Sequence, residues 1–183
     1  MEHHAIGLVE INSIAKGFEV CDAMAKTANV TVLVAKSICP GKYIVMIGGD
    51  VAAVRQSVEC GESVAGSTIV DCFVIPNIHP SVLPAISGGN SIENVQALGV
   101  IETYSVAATI EAADSAVKTA SVVPLRMHLA FGIGGKSYVS FSGEVADITA
   151  AVAAGAAVAS EKGFLVNQVV IPRPHPQLID QIG

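Results

Sequence analysis

Cys39 stands in the turn Ile38-Cys39-Pro40-Gly41-Lys42, where a Pro-Gly pair exposes a thiol that can act, as thiolate, as a metal ligand. The other three cysteines, Cys21, Cys60 and Cys72, fall within apolar periodic segments, and no two of the four make a CxxC pair or a zinc spacing. A second chemical candidate is Ala130-Phe131-Gly132-Ile133-Gly134-Gly135-Lys136-Ser137, a phosphate-binding loop but for alanine at its leading glycine. Such a loop must open a helix so that its amides point at phosphate. Here Tyr138-Val139-Ser140-Phe141 reads as a strand, so the glycines are better explained as letting a loop crowd its surroundings. His79 and His175 each precede proline and read as structural, while His3, His4 and His128 show no ligand spacing. Neither a Ser-His-Asp set nor a carboxylate pair is legible, so these residues point to a binding or structural protein rather than to an enzyme.

The elements that position these residues come from a duplication. Ala5 to Val30 realigns on Ala97 to Val122 without a gap, with eleven of 26 positions identical, among them Glu10 on Glu102, Asp22 on Asp114 and Lys26-Thr27-Ala28 on Lys118-Thr119-Ala120. At a slightly larger offset Gly41-Lys42 falls on Gly135-Lys136, Val54 on Ile148, and Ile75 to Pro80 on Ile171 to Pro176. In the first copy, Ala5 to Ile11 reads as a strand. Ser13 caps a helix carrying Ile14, Phe18, Cys21 and Ala25 and running to about Ala28. Val30 to Ile38 and Tyr43 to Ile47 form a hairpin around the Pro-Gly turn. Gly48-Gly49-Asp50 ends that hairpin and caps a second helix with Val51, Val54 and Val58 facing inward, and Thr68 to Ile75 is the last strand before Pro76. The order strand, helix, strand, strand, helix, strand is a split βαβ unit, so the predicted fold is α+β, two tandem ferredoxin-like βαββαβ domains. Residues 1–90 make the first domain with its short helical tail and linker (78–89), and residues 91–183 the second. Cys21 and Cys60 fall on Ala113 and Ala154 in the second copy, which casts them, with Cys72, as small core residues.

Composition narrows the partners. Hydrophobic residues make up 51% of the 183 and charged residues 14%, which predicts burial against other subunits. A net charge of −6 without a Lys/Arg cluster argues against nucleic acid. Lys, Asp, Glu or Gly interrupts every apolar run short of the roughly 18 residues a membrane span needs. The Met-Glu-His-His start does not read as a signal segment, so the cysteines are expected to be reduced thiols.

Asp22 to Ala28, Gly49 to Val54 and Ile171-Pro172-Arg173-Pro174-His175 resemble motifs of the tandem-domain shell proteins of bacterial microcompartments, and the likeness covers nearly the whole chain. Ile38 to Lys42 and Ala130 to Lys136 are similar, more narrowly, to the iron–sulfur subtype of propanediol-utilisation shells. The resemblance implies a homotrimer forming a flat pseudohexamer that tiles with neighbouring shell hexamers in the cytoplasm. It places the pore loops, Ser37, Ile38, Pro40 and Gly41 with Phe131, Gly132, Ile133, Gly134 and Gly135, on the threefold axis. It also implies one [4Fe–4S] cluster per trimer held by three Cys39 ligands, for electron transfer across the shell, with lumen redox enzymes as partners, or for cluster delivery. Lys26, Lys118, Asn77 and Arg173 would then lie at the tile edge. Two readings stand beside this one: a metabolite pore with Cys39 unmetallated, and a ferredoxin-like enzyme or sensor that takes a phosphate ligand on the glycine loop.

Overall fold

A computed structural model of the chain describes residues 5–87 and 95–182. His3, His4, the end of the expected linker and the expected boundary between residues 90 and 91 lie outside the described residues. The first copy runs β1 (Ala5–Ile11), α1 (Ile14–Thr27), β2 (Val30–Ile38), β3 (Lys42–Gly49), α2 (Val51–Ala65) and β4 (Ile69–Ile75), followed by a short α3 (Val82–Ile86). The second runs β5 (Ala97–Thr103), α4 (Val106–Thr119), β6 (Val123–His128), β7 (Ser137–Gly143), α5 (Val145–Glu161) and β8 (Leu165–Pro172), with α6 (Pro176–Ile179) after it. Each copy forms one antiparallel four-stranded sheet, ordered β2-β3-β1-β4 and β6-β7-β5-β8, which is the ferredoxin-like arrangement.

Local chemistry explains most boundaries. The Lys16 amide donates to Ser13 Oγ at 3.3 Å, and in the second copy the Ala108 amide donates to Ser105 Oγ at 3.1 Å, so the same capped turn starts both first helices. Gly48 and Gly49, expected to break β3, instead continue it and pair with β1 and β2. Asp50 takes the N-cap position of α2 without a side-chain cap bond. The last strand starts at Ile69 because Gly66–Thr68 forms one 3-10 turn.

The helices cover one face of each sheet, and the glycines on the central strands mark where they approach. A Cβ at Gly7 would come within 2.4 Å of Val58 Cγ2 and 2.9 Å of Val54 Cγ1, and one at Gly99 within 2.6 Å of Val152 Cγ2. Side chains alternate along a strand, so Leu8 and Glu10, like Val100 and Glu102, face away from the helices. Within the first unit the core gathers Val9, Ile11, Val20, Met24, Val45, Ile47, Val54 and Val58. Val51, expected inside, is 37% exposed: it is the first residue of α2, and the buried face begins with Val54. Similarly the buried stripe of α1 is Gly17, Val20 and Met24, which leaves Ile14 and Phe18 on its outer side.

Among the described residues no helix is long and apolar enough to cross a membrane.

The two second helices carry a matched glycine with different neighbours. A Cβ at Gly155 would lie 2.5 Å from the Ala112 carbonyl oxygen, whereas one at Gly61 would lie 2.7 Å from Met24 Sδ, the movable end of a side chain. Gly155→Ala should therefore lower stability by about 1–3 kcal/mol through overpacking against backbone, and Gly61→Ala by clearly less. Thermal unfolding of both variants checks this; equal losses would refute the backbone contact.

Candidate site at the first hairpin turn

The site is built on the turn that joins β2 to β3. Ile38, 4% exposed, anchors it; Cys39 is half-buried; Ser37, Pro40 and Gly41 are exposed. The Gly41 amide donates to the Ile38 carbonyl at 3.1 Å, and φ of +91° at Gly41 requires a residue without Cβ. The Cys39-Pro40 peptide is cis.

Phe131–Gly135, although supplied by the second copy, is part of the same compact unit as Met1–Ile78. The Gly132 amide donates to Cys39 Sγ at 3.4 Å. Gly135, at φ +83°, is buried against the turn: a Cβ there would meet Pro40 Cδ at 2.5 Å and the Cys39 carbonyl oxygen at 2.9 Å. Gly132 and Gly134, at φ +75° and +67°, have nothing within 4 Å of where a Cβ would stand; Phe131 is 74% exposed and Ile133 half-buried. The close approach at Gly135 agrees with glycines that let a loop crowd its surroundings, and it is the contact that seats the loop on the turn. The strand β7 follows the loop, so its amides do not open a helix as a phosphate loop requires.

Both hairpins are fixed at their bases by an ion pair. Lys42 Nζ lies 2.6 Å from Glu10 Oε1 with side-chain exposures of 12% and 0%, and Lys136 Nζ lies 2.5 Å from Glu102 Oε1 at 40% and 30%. The hydrogen bond and charge of Glu102 hold the Lys136 ammonium above the usual lysine range. Sequence reasoning missed these carboxylates as site residues. The signal was present, since the repeat places Glu10 on Glu102 and Lys42 on Lys136.

The remaining cysteines are half-buried, and Cys21 and Cys72 pack against the core of the first unit. Burial, with Asp22 adding to it, raises the Cys21 thiol. Burial, and then Cys21, raises the neighbouring Tyr43 phenol, whose ring lies 5.2 Å from that of Phe18. Cys72 Sγ lies 2.5 Å from Glu62 Oε1. Cys39 differs from them: it has an amide donor on sulfur and open space beside the glycines, which is what a cluster thiolate needs. Among the described residues no group of three or more His, Cys, Asp or Glu could hold a metal, so a chain offers this one thiol at the turn.

The four expected edge residues have their own local partners. Lys26 Nζ pairs with Asp22 at 2.6 Å and Lys118 Nζ with Asp114 at 2.5 Å, each one helical turn back, so these are paired charges rather than lone ones. Asp114 also accepts the His79 amide at 2.8 Å. Asn77 is exposed, and Arg173, exposed at φ +49°, donates its amide to the Gln96 carbonyl at 2.8 Å. Of the histidines, the His79 ring bonds Ser81 Oγ at 2.7 Å, His175 Nδ1 accepts the Gln177 amide at 3.3 Å, and His128 stacks on Tyr138 at 5.5 Å.

Residues 5–78 and 97–174 each match the BMC domain. The chain is 56% identical to the bacterial microcompartment shell protein PduT of Citrobacter freundii, across 97% of both chains. Half of it is 44% identical to the whole of the shell protein PduA from that organism, so one copy of the repeat corresponds to a complete relative. The crystal structure of a microcompartment protein from Desulfitobacterium hafniense superposes with a TM-score of 0.84 at 53% identity, covering 95% of this chain and 97% of that one. Two BMC domains in one chain, matched end to end by such relatives, make this chain a member of the BMC-domain family: a structural, non-enzymatic shell protein of bacterial microcompartments, of the PduT type.

Proposed function

We propose that three copies close head to tail into a pseudohexameric tile of a propanediol-utilisation-type shell, within the cytoplasm. On the axis of that tile, three Cys39 thiolates hold one [4Fe–4S] cluster. The observation that carries the reading is the single turn thiol with its amide donor, present in the first copy and absent from the second. When bound, the cluster supplies one-electron chemistry, and the tile passes electrons between the two sides of the shell to enclosed redox enzymes. A three-thiolate site also leaves one iron without a protein ligand, which suits cluster delivery as well.

Unequal burial of the two copies supports the ring. On the first copy the sheet face away from the helices is sealed, with Leu8 at 0% and Phe73 at 5%, while the matching face of the second copy leaves Val169 at 43% and Asn167 exposed. The first helices show the reverse: Val106 and Ile110 of α4 are fully buried, but Ile14 and Phe18 of α1 are 42% and 63% exposed. The apolar residues exposed on α1 and on β8 are surfaces that another copy would cover in such a ring. Such a heterologous contact closes a ring when its rotation permits. At the rim, Lys26, Lys118, Asn77 and Arg173 would meet neighbouring shell hexamers.

Three outcomes follow. Cys39→Ser should abolish bound iron and sulfide in anaerobically purified protein while the mass in sedimentation stays that of the wild type. Iron-free wild-type protein would leave the tile a metabolite pore and end the cluster reading. Phe18→Asp and Val169→Asp should each dissociate the ring without unfolding it, since a buried unpaired carboxylate costs several kcal/mol at an interface. Because each variant retains one intact face, a mixture of the two should form a one-to-one dimer; persistence of trimers, or no association on mixing, would refute the head-to-tail contact. At the rim, Arg173→Ala should impair extended sheets in electron micrographs more than Asn77→Ala, since a guanidinium offers five donors in a fixed fork. Lys26→Ala with Lys118→Ala should also remove the sheets, and sheets like those of the wild type would refute the edge role.

A further inference from the structure

Gly132 and Gly135 both bear on the Cys39 turn, Gly132 on its sulfur and Gly135 on its backbone and on Pro40. We infer that the glycine loop of the second copy is a positioning clamp for the Cys39 thiol, with the Gly132 amide as its electrostatic contact and Gly135 as its steric one. The inference rests on the cluster reading for its redox consequence, but not for its geometry.

Gly135 lies close against the Cys39 turn. Its missing side chain leaves room for Pro40 Cδ and the Cys39 carbonyl, which a Cβ would meet at 2.5 and 2.9 Å. That approach brings the Gly132 amide to 3.4 Å from Cys39 Sγ. An N–H directed at sulfur stabilises negative charge there, more strongly than a neutral pair would. Amide donors on cluster sulfurs favour the reduced, more negative state, and so raise the reduction potential. Gly134 serves as an internal control: it shares the left-handed backbone, at φ +67°, but a Cβ there meets nothing within 4 Å. Alanine at Gly134 or Gly135 therefore carries the same kind of backbone strain, and only at Gly135 does it also push on the Cys39 turn.

The test uses the full-length protein in two arms. In the first, hydrogen exchange of the Gly132 amide is followed by NMR in metal-free wild type, Cys39→Ala, Gly134→Ala and Gly135→Ala. Exposed as it is, this amide should exchange roughly five to ten times faster when its sulfur acceptor is deleted, the factor that corresponds to one ordinary hydrogen bond. Gly135→Ala should reproduce that acceleration and Gly134→Ala should not. Equal exchange in wild type and Cys39→Ala, or equal effects of the two alanines, would overturn the clamp. In the second arm, anaerobically loaded protein is titrated for its reduction potential and its EPR signal recorded. Gly135→Ala should shift the potential to more negative values than Gly134→Ala, with trimer mass unchanged, and coincident potentials would also overturn the proposal. Should the wild type take up no iron, the cluster reading falls, and the exchange arm still decides whether the clamp exists.

Discussion

A lysine ammonium sealed 2.6 Å from a fully buried carboxylate fixes the mouth of the first hairpin, and the geometry of the turn depends on it. Lys42 opens β3 three residues beyond Cys39, and Glu10 lies on the central strand β1, so the pair ties the turn to the middle of the sheet. Both charges are largely dry. Deleting one partner of such a pair costs about 3–5 kcal/mol, because the other charge is left buried, which makes the pair a strong constraint even where its net contribution to stability is small. The second hairpin repeats the pair with Glu102 and Lys136 at a more open position, where solvent screening weakens it. The site is thus held most rigidly in the copy that carries the thiol.

Much of this was legible before any coordinates. The alternation in β2, the Ser13 and Ser105 caps and the repeated Ile-Pro stops are local signals, and local signals placed the eight strands and four long helices of the described residues. The sequence also isolated Cys39, because a cysteine beside Pro-Gly is an unusual occupant of a turn. What remained hidden was long-range. Nothing near Val51 says that it precedes the buried face of its helix, and the periodicity of Ile14, Phe18 and Cys21 marks an apolar stripe without naming what covers it. The contact between Gly132 and Cys39 spans 93 positions, and a backbone amide leaves no trace in composition.

The glycines show how one pattern admits two physical causes. Read along the chain, Gly132, Gly134 and Gly135 resemble a phosphate cradle or a loop that crowds its surroundings. In three dimensions they separate. Gly134 has a positive φ and open space, so glycine there meets a demand of the backbone alone, whereas Gly135 also meets a demand of its neighbours. Only the second kind of glycine couples the loop to the thiol.

Duplication is what permits that coupling. In a ring of six identical domains every position on the axis occurs six times, so a turn cysteine would appear as six thiolates whose charges repel at close range. It would also have only another cysteine turn as its neighbour. Two fused and diverged copies remove the constraint. One copy keeps the thiol, and the other is free to drop it and to lengthen its loop with glycine. The neighbouring loop then offers an N–H where an identical subunit would have offered a second sulfur. Alternating acceptor and donor around an axis is an arrangement that a single-domain hexamer cannot reach by any substitution, since each change would recur at all six places.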